Sequence, residues 1–435
     1  MADRRLKGNE VVLEGYVYDL DAFSKVHPGG ADALRVFGGS DATTHYYMLH
    51  PHKEIRVKAL EPFRLRKAEA PVHDLCCERV MPDTIEQKGS GSAHGDLVFK
   101  LNTPAFQDLK SRVQKAIPYQ FATSEWYVKA CLIMILNVSM EYLIVRDGPS
   151  LLKASVLGLS MALIGLCIQH DANHGAVSKS GWVNRFWGYT QDWIGGSSLL
   201  WRHHHVLMHH ADTNVNGDDP DITGDLIRFN KLTNWKGHHK WQALYTWFLL
   251  PLLPFRWHFS EIFDLINMKH LDRSISPMAQ TDARIALFLR QMPFFFMLRF
   301  YALPLYFYPS FFTLFCHFVC LAVGGSYLGF NFVISHNFEG ARSVLDSTDR
   351  SKHEKRDWSF DQVETSSTVG GRVLGYLHGG LNYQIEHHLF PRISHVHYHK
   401  LAPVVRQWCL DHGLKYTYYP TVFHNVLSTY RYLNA

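Results

Sequence analysis

Apolar and polar positions divide the chain into a short alternating unit and a much longer apolar one. "VVLEGYVYDL", from Val11, alternates like a half-buried strand, "HPGG" at 27–30 supplies a turn, and short helical patterns follow. From Lys67 to Asp96 the periodicity disappears into "KAEAPVHDLCCERVMPDTIEQKGSGSAHGD", whose Pro, Gly, Ser and mixed charge are the composition of a linker. Long apolar runs then begin, each near the roughly 20 residues that cross a bilayer as a helix. "WYVKACLIMILNVSMEYLIV" from Trp126 and "LLKASVLGLSMALIGLCI" from Leu151 are separated by only "RDGPS" and predict a hairpin. "MPFFFMLRFYALPLYFY" from Met292 and "FFTLFCHFVCLAVGGSYLGFNFVI" from Phe311 predict a second, although Arg299 is costly in mid-membrane unless it snorkels or pairs. "ALYTWFLLPLLPF" from Ala243 is too short to span, and Pro251 and Pro254 are expected to break it into an interfacial segment. The expected organisation is a first domain at 1–66, a linker at 67–100 and a membrane domain at 101–435, with spans near 126–146, 151–169, 288–308 and 311–334.

Parity gives these runs a consequence. Two crossings precede "HDANH" (170–174), none need separate it from "HHHVLMHH" (203–210), and two more precede "QIEHH" (384–388). All three clusters therefore fall on the side of the amino-terminal unit. His170 and His174, and likewise His205 and His209, are one helical turn apart, with His210 adjacent; Gln384, His387 and His388 stand at i, i+3 and i+4.

Composition narrows the chemistry. Across 435 residues, 47% apolar and 14% aromatic content excludes a disordered chain, and a dispersed net charge of +5 argues against a nucleic-acid partner. The seven cysteines contain no CxxC; Cys131, Cys167, Cys316 and Cys320 lie in apolar runs, and adjacent Cys76 and Cys77 do not suit a disulfide framework. The 28 histidines, by contrast, are clustered, as metal sites require. So many imidazoles exceed what tetrahedral zinc accepts, and the lack of thiolates excludes iron–sulfur clusters, so two irons fit best. Asp171, Asn173, Asp212 and Asp219 are close enough in sequence to orient the rings. "MADRRLKGNE" shows no signal peptide, and the amino end is expected to be cytosolic.

As a set, "HDANH", "HVLMHH" and "QIEHH" resemble the three histidine boxes of membrane fatty-acid desaturases, over roughly Phe121 to Tyr430, and the Gln opening the third box resembles the front-end subgroup. That resemblance implies a diiron centre held by His170, His174, His205, His209, His210, His387 and His388, with Gln384 a further candidate and His336 of "VISHN" an additional ligand. His205 is preferred to His203 and His204 because HxxxHH is a spacing the family uses. "GYVYDLDAFSKVHPGG" and "DATTHYYMLHP" look like cytochrome b5, with His27 and His50 as axial ligands of haem b; His45, His52, Tyr46 and Tyr47 are expected at the surface or lining its pocket. Two imidazoles close both faces of the haem, which suits electron transfer.

The implied fold is a small α+β cytochrome b5-like domain followed by an all-α membrane domain with about four transmembrane helices and a cytosolic histidine-rich cap. The implied protein is a multi-pass enzyme of the endoplasmic reticulum with both termini cytosolic. It would take electrons from NADH-cytochrome b5 reductase and use dioxygen and two iron ions on a polyunsaturated acyl-CoA or phospholipid acyl chain. A Δ5 double bond in twenty-carbon substrates, giving arachidonate or eicosapentaenoate, is the leading expectation. Δ4 or Δ6 desaturation, a sphingolipid desaturase and a lipid hydroxylase are the alternatives; a membrane-anchored haem electron carrier is the alternative of a different class.

Overall fold

The structure, a computed structural model, describes residues 6–51, 60–68, 101–215, 218–231, 233–271, 273–281, 294–342 and 357–435. Most of the expected linker, and His52, lie outside these residues. At the amino end Glu14 and Gly15 both take positive φ (52° and 73°), which turns β1 (Glu10–Leu13) back onto β2 (Tyr16–Asp19). The strand β3 (Arg64–Lys67) completes an antiparallel sheet of order β1-β2-β3. Arg66 grips the Glu10 carboxylate through two bonds of 2.7 Å and so ties β3 to β1. Helices Leu20–Ser24 and Thr43–Leu49 then leave an apolar crevice lined by Phe23, Val36, Phe37, Leu49 and Leu60.

Among the remaining described residues the regular structure is helical apart from two short two-stranded ladders. Ser124–Asp147, Leu151–Asn173 and Phe311–His336 are long and apolar enough to cross a membrane. Gly148, at φ 83°, turns the first into the second, and Ser150 accepts a bond from Lys153 N to cap the new helix. The second and last of these helices cross closely because Gly158 and Gly324 face each other. A Cβ on Gly158 would run into the Cys320 carbonyl, and one on Gly324 would lie 2.9 Å from Gly158 O.

One expectation is met in part and another is refined. The run expected to span 288–308 is described from Phe294 to Phe307 only, and those 14 residues are too short to span by themselves; residues 288–293 lie outside the described set. Among the described residues three helices therefore qualify as spans, not four. Arg299 resolves its own cost by pairing with Glu141 of the first long helix, its guanidinium 3.7 Å from the centre of the Trp193 ring. Pro251 and Pro254 interrupt the α-helix, as expected, without ending the helical path. Gln242–Leu249, the 3-10 turn Leu250–Leu252 and Leu253–Asn267 follow one another directly, because each proline sits in a first turn where no backbone donor is needed.

Phe248, Phe259, Phe263 and Ile266 remain exposed along this arm, as do Leu132, Ile135, Leu152, Phe311 and Phe315 on the long helices. An apolar belt of that extent requires a lipid or protein cover.

The close crossing predicts that Gly158→Val, which forces carbon into a backbone carbonyl, destabilises the protein by about 1–3 kcal/mol or more. A melting curve of detergent-solubilised protein should show a clear drop, with Leu152→Val on the exposed face unchanged. An unaltered melt for Gly158→Val would contradict the packing.

Candidate metal centre

Each histidine cluster is delivered by a helix whose local winding is set nearby. Leu151–Ile164 widens into a π-turn at Gly165–Gln169 before His170–Asn173. Gly379, at φ 62°, lets the loop ahead of the third cluster rest on that turn, since a Cβ there would strike the Leu166 carbonyl. The second cluster lies on a π-helix, Arg202–His209, where His210 N donates to His205 O at 3.1 Å, one residue beyond α-helical spacing. The third occupies the fully buried helix Gln384–Leu389.

These segments converge. His170, His174, His205 and His387 offer ring nitrogens that all lie within 4.8 Å of one another, and His209, His336 and His388 form a second such group. His210 stands between them, its Nε2 3.1 Å from that of His205 and its ring stacked 4.3 Å from His388. Gln384 joins the second group, with Nε2 3.3 Å from His336 Nε2 and a buried Oε1 without a partner among the described residues. Of the three leading histidines of the second cluster, His205 enters a group. His204 instead contacts Asp221 (2.7 Å) and His270 (2.9 Å), while His203 is buried outside both groups.

The tautomers are fixed from behind. His209 Nδ1 donates to Asp219 (3.0 Å), His336 Nδ1 to the Thr365 carbonyl (3.1 Å) and His388 Nδ1 to the Gln362 amide oxygen (3.0 Å), while His387 Nδ1 shares a hydrogen bond of 3.0 Å with the Tyr398 hydroxyl, which can accept or donate. The bonds of His336 and His388 each leave a bare Nε2 lone pair facing inward. His336 and His388 bring two such nitrogens to 3.2 Å, and the buried Nε2 atoms of His170, His174 and His387 have no partner among the described residues. Converging lone pairs with no proton between them suit a cation and little else. Burial holds the imidazoles of His174, His205, His210, His387 and His388 well below their ordinary pKa, so they are neutral donors. His209 differs: burial pushes it down, but Asp219 and Asp221 together raise it to about 9, so a metal ion there must displace a proton.

Of the nearby polar residues anticipated as supports, Asp219 plays that part. Asp171 instead accepts from Ser394 Oγ (2.7 Å) and His395 Nδ1 (2.9 Å), and Asn173 donates to Gln169 (2.8 Å). Gln362, the Thr365 carbonyl and Tyr398 were invisible to sequence reasoning, because nothing local marks a partner that only folding brings near. Glu386 was likewise missed; burial raises its carboxyl to about 7 while Tyr416 and Thr368 donate to it.

In the amino-terminal crevice the His27 and His50 rings stand 6.4 Å apart, centre to centre, which leaves room for one metal bonded at about 2 Å to each. Their Nδ1 atoms face the carbonyls of Gly30 (3.4 Å) and Tyr46 (2.7 Å), freeing both Nε2 atoms as ligands. Gly29 is required here, since a Cβ would approach His27 Cε1 to 2.9 Å. Burial lowers both imidazoles, His50 to about 3, with the Arg392 charge adding to the effect. His45 is buried and bonds the Leu207 carbonyl at 2.9 Å, and Tyr46 lines the crevice. The crevice is closed by the helical domain: Asn173, His174, Gly175, Arg202, Val206 and Arg392 share its wall with His27 and His50.

A second cavity, about 2360 Å³ with its open mouth included, begins at His205, His209, His336 and Gln384 and continues between Met161, Ile194, Leu250, Leu321, Leu328 and Phe332.

A paired imidazole site that shares a wall with a haem-type crevice and opens on an apolar cavity is the layout of a redox metalloenzyme with a built-in electron donor and a lipid-like substrate. Comparison gives the family. Residues 149–420 match the profile described as fatty acid desaturase, and residues 9–70 match that of the cytochrome b5-like heme/steroid binding domain. The chain belongs to the fatty acid desaturase family. It is 38% identical over 429 residues to an acyl-lipid (7-3)-desaturase of Rebecca salina and 36% identical over 429 residues to one of Diacronema lutheri, in each case across 96% of this chain and 88% of the relative. It is 26% identical over 444 residues to the Delta(5) fatty acid desaturase A of Dictyostelium discoideum, across 97% of this chain and 89% of that protein. The protein is thus a membrane oxidoreductase acting on lipid, with a haem-binding cytochrome b5 domain and a diiron centre, as its histidine boxes lead one to expect.

The support given to His209 predicts that Asp219→Ala weakens iron binding about 10–100-fold. Metal analysis of purified protein should show depleted iron beside an unchanged haem spectrum; full iron occupancy would count against the role given to Asp219.

Proposed function

We propose that the protein is a front-end acyl-lipid desaturase, inserting a cis double bond between the carboxyl end and an existing double bond of a polyunsaturated chain. The observation that carries this is the apolar cavity ending on His205, His209, His336 and Gln384, which suits an extended hydrocarbon laid against the metal site. In the proposed assignment His170, His174, His205, His210 and His387 hold one iron. His209, His336 and His388 hold the other, with Gln384 beside it, and His27 and His50 are the axial haem ligands. When bound, the irons and dioxygen supply the oxidising power for two aliphatic C–H bonds, and the haem delivers the two electrons singly. With two protons the balance closes on one alkene and two waters.

The protein's own residues do the rest. Asp219, Gln362, Tyr398 and the Thr365 carbonyl hold the imidazoles in their donor tautomers. Trp201, whose ring centre lies 4.5 Å from that of His205 and 5.3 Å from that of His174, keeps water from one side of the site. The cavity walls set which carbon pair is presented. Because one methylene changes binding by only about 1–3 kcal/mol, cavity length and bend carry regiochemistry, and no single residue does.

Relatives' names shift the preferred position. Read as seven minus three, "(7-3)" puts the new bond at carbon 4, and these relatives at 38% and 36% identity outrank the Δ5 protein at 26%. Δ4 action is therefore the first reading and the Δ5 action expected from the boxes the second; "acyl-lipid" favours a lipid-bound chain over acyl-CoA.

Topology follows from the shared site. Tyr308 OH donates to Arg146 O at 3.0 Å, so the end of Phe294–Phe307 meets the turn after the first long helix, on the face away from the histidines. A return to that face before Phe311–His336 favours a fourth crossing through 288–308, with domains at 1–66 and 101–435 joined by the linker at 67–100. Both termini and the site would then face the cytosol from the endoplasmic reticulum, within reach of NADH-cytochrome b5 reductase.

Expression in yeast fed separately with linoleic, dihomo-γ-linolenic and docosapentaenoic acids, with double-bond localisation by gas chromatography and mass spectrometry, tests this. A new bond at carbon 4 of docosapentaenoate is expected, one at carbon 5 of dihomo-γ-linolenate selects the second reading, and no product from any feed defeats both. His387→Ala should abolish product and leave the haem spectrum intact; desaturation at the wild-type rate would remove the ligand assignment.

A further inference from the structure

The helical domain contributes cations to the wall of the haem crevice, and their partners differ. Arg185 is paired with Asp32. Arg202 donates to the Asp32 and Ser198 carbonyls, both at 3.3 Å. Arg392 makes one long bond, 3.4 Å to the Leu49 carbonyl, and no carboxylate lies within ion-pair distance of it among the described residues. It is half-buried, so its guanidinium carries unused donors in a partly dry wall, which is costly unless an anion arrives.

Where Arg392 sits gives its unused donors a meaning. It follows the third histidine cluster by a few residues, and its backbone is held by Gln120, whose amide donates to Arg392 O at 3.2 Å. On its other side it passes Gly175, the residue after His174, where a Cβ would stand 3.7 Å from Arg392 Nε. The guanidinium thus lies between the loops that follow the first and third clusters and points into the space enclosed by His27 and His50. Haem b carries two propionate carboxylates as its only anionic substituents, and a planar guanidinium is matched to a carboxylate.

We propose that Arg392 binds a haem propionate and so seats the haem edge beside His174, making the fused haem domain a docked donor. The proposal rests on His27 and His50 as the haem ligands. Arg392 is a positioning residue: it holds the donor against two of the three histidine clusters, and the same charge disfavours the ferric haem. The linker then serves to keep the domain in place and need not let it swing between partners.

The test uses the full-length protein in detergent, as wild type, Arg392→Ala and Arg392→Lys, each with haem b and with haem b dimethyl ester. Measured are the haem spectrum, the midpoint potential, and the rate of haem loss to apomyoglobin. In Arg392→Ala the potential should fall and haem loss accelerate at least ~10-fold, about 1.4 kcal/mol of binding. Arg392→Lys, which keeps the charge, should retain most of the wild-type potential. Esterified haem should reproduce the faster haem loss of Arg392→Ala in the wild type and add little to it in the variant, a non-additivity that a general loss of folding would not give; its potential should instead rise, because the ester removes negative charge. If potential and haem loss match wild type in Arg392→Ala, or the ester speeds haem loss equally in both, the propionate contact is wrong. A wild-type spectrum lacking the low-spin bis-histidine form would overturn the proposal by removing the haem ligands themselves.

Discussion

The organisation of this protein depends on one demand: bare imidazole lone pairs from distant segments must meet in a dry interior and be kept bare. His336 and His388 show it most plainly, with Nε2 atoms 3.2 Å apart and each Nδ1 already committed. Such opposed lone pairs are unfavourable until a metal lies between them, so the scaffold must hold the cluster together beforehand. Packing does so through residues with no chemistry of their own. Gly379 lets the third cluster's loop lie on the widened turn before His170, and Gly158 and Gly324 bring the long helices into contact around the site.

Irregular winding is the second device. Both the first and second clusters adjoin π-turns, in Gly165–Gln169 and Arg202–His209, where an extra residue per turn rotates the side chains that follow. The π-helical stretch Met297–Ala302 contains Arg299, which the helix pairs with Glu141. In each case a regular α-helix would aim a costly polar group in another direction, and in each case dense packing holds the departure in place.

The haem domain is joined to this scaffold along its open crevice. His45 bonds the Leu207 carbonyl inside the second cluster's helix, Lys110 donates to the Tyr47 carbonyl, and Ser276 reaches the Arg35 and Gly38 carbonyls. His174 lines this crevice and also belongs to the first imidazole group, so the two sites share a wall.

Much of this was legible in the sequence because its signals are local. Three clusters at one-turn spacing, apolar runs of bilayer length and a turn at "HPGG" between alternating strands are properties of neighbouring residues, and they were enough to reach the family and its cofactors. Asp219 could be nominated because it lies ten residues from His209. Gln362 and Tyr398 could not, nor could the pairing of Arg299 with Glu141, since each depends on segments that meet only in the fold. The form of the break at Pro251 and Pro254, a 3-10 turn between two helices, was hidden for a related reason: it depends on position within a turn, which the residue type does not reveal. Sequence by itself thus determined the chemistry, because imidazole is a metal donor wherever it stands. Tertiary structure alone decided which nitrogens face inward, how large a cavity they adjoin and which side chains line the haem crevice, because those depend on distances between residues that the chain's order leaves far apart.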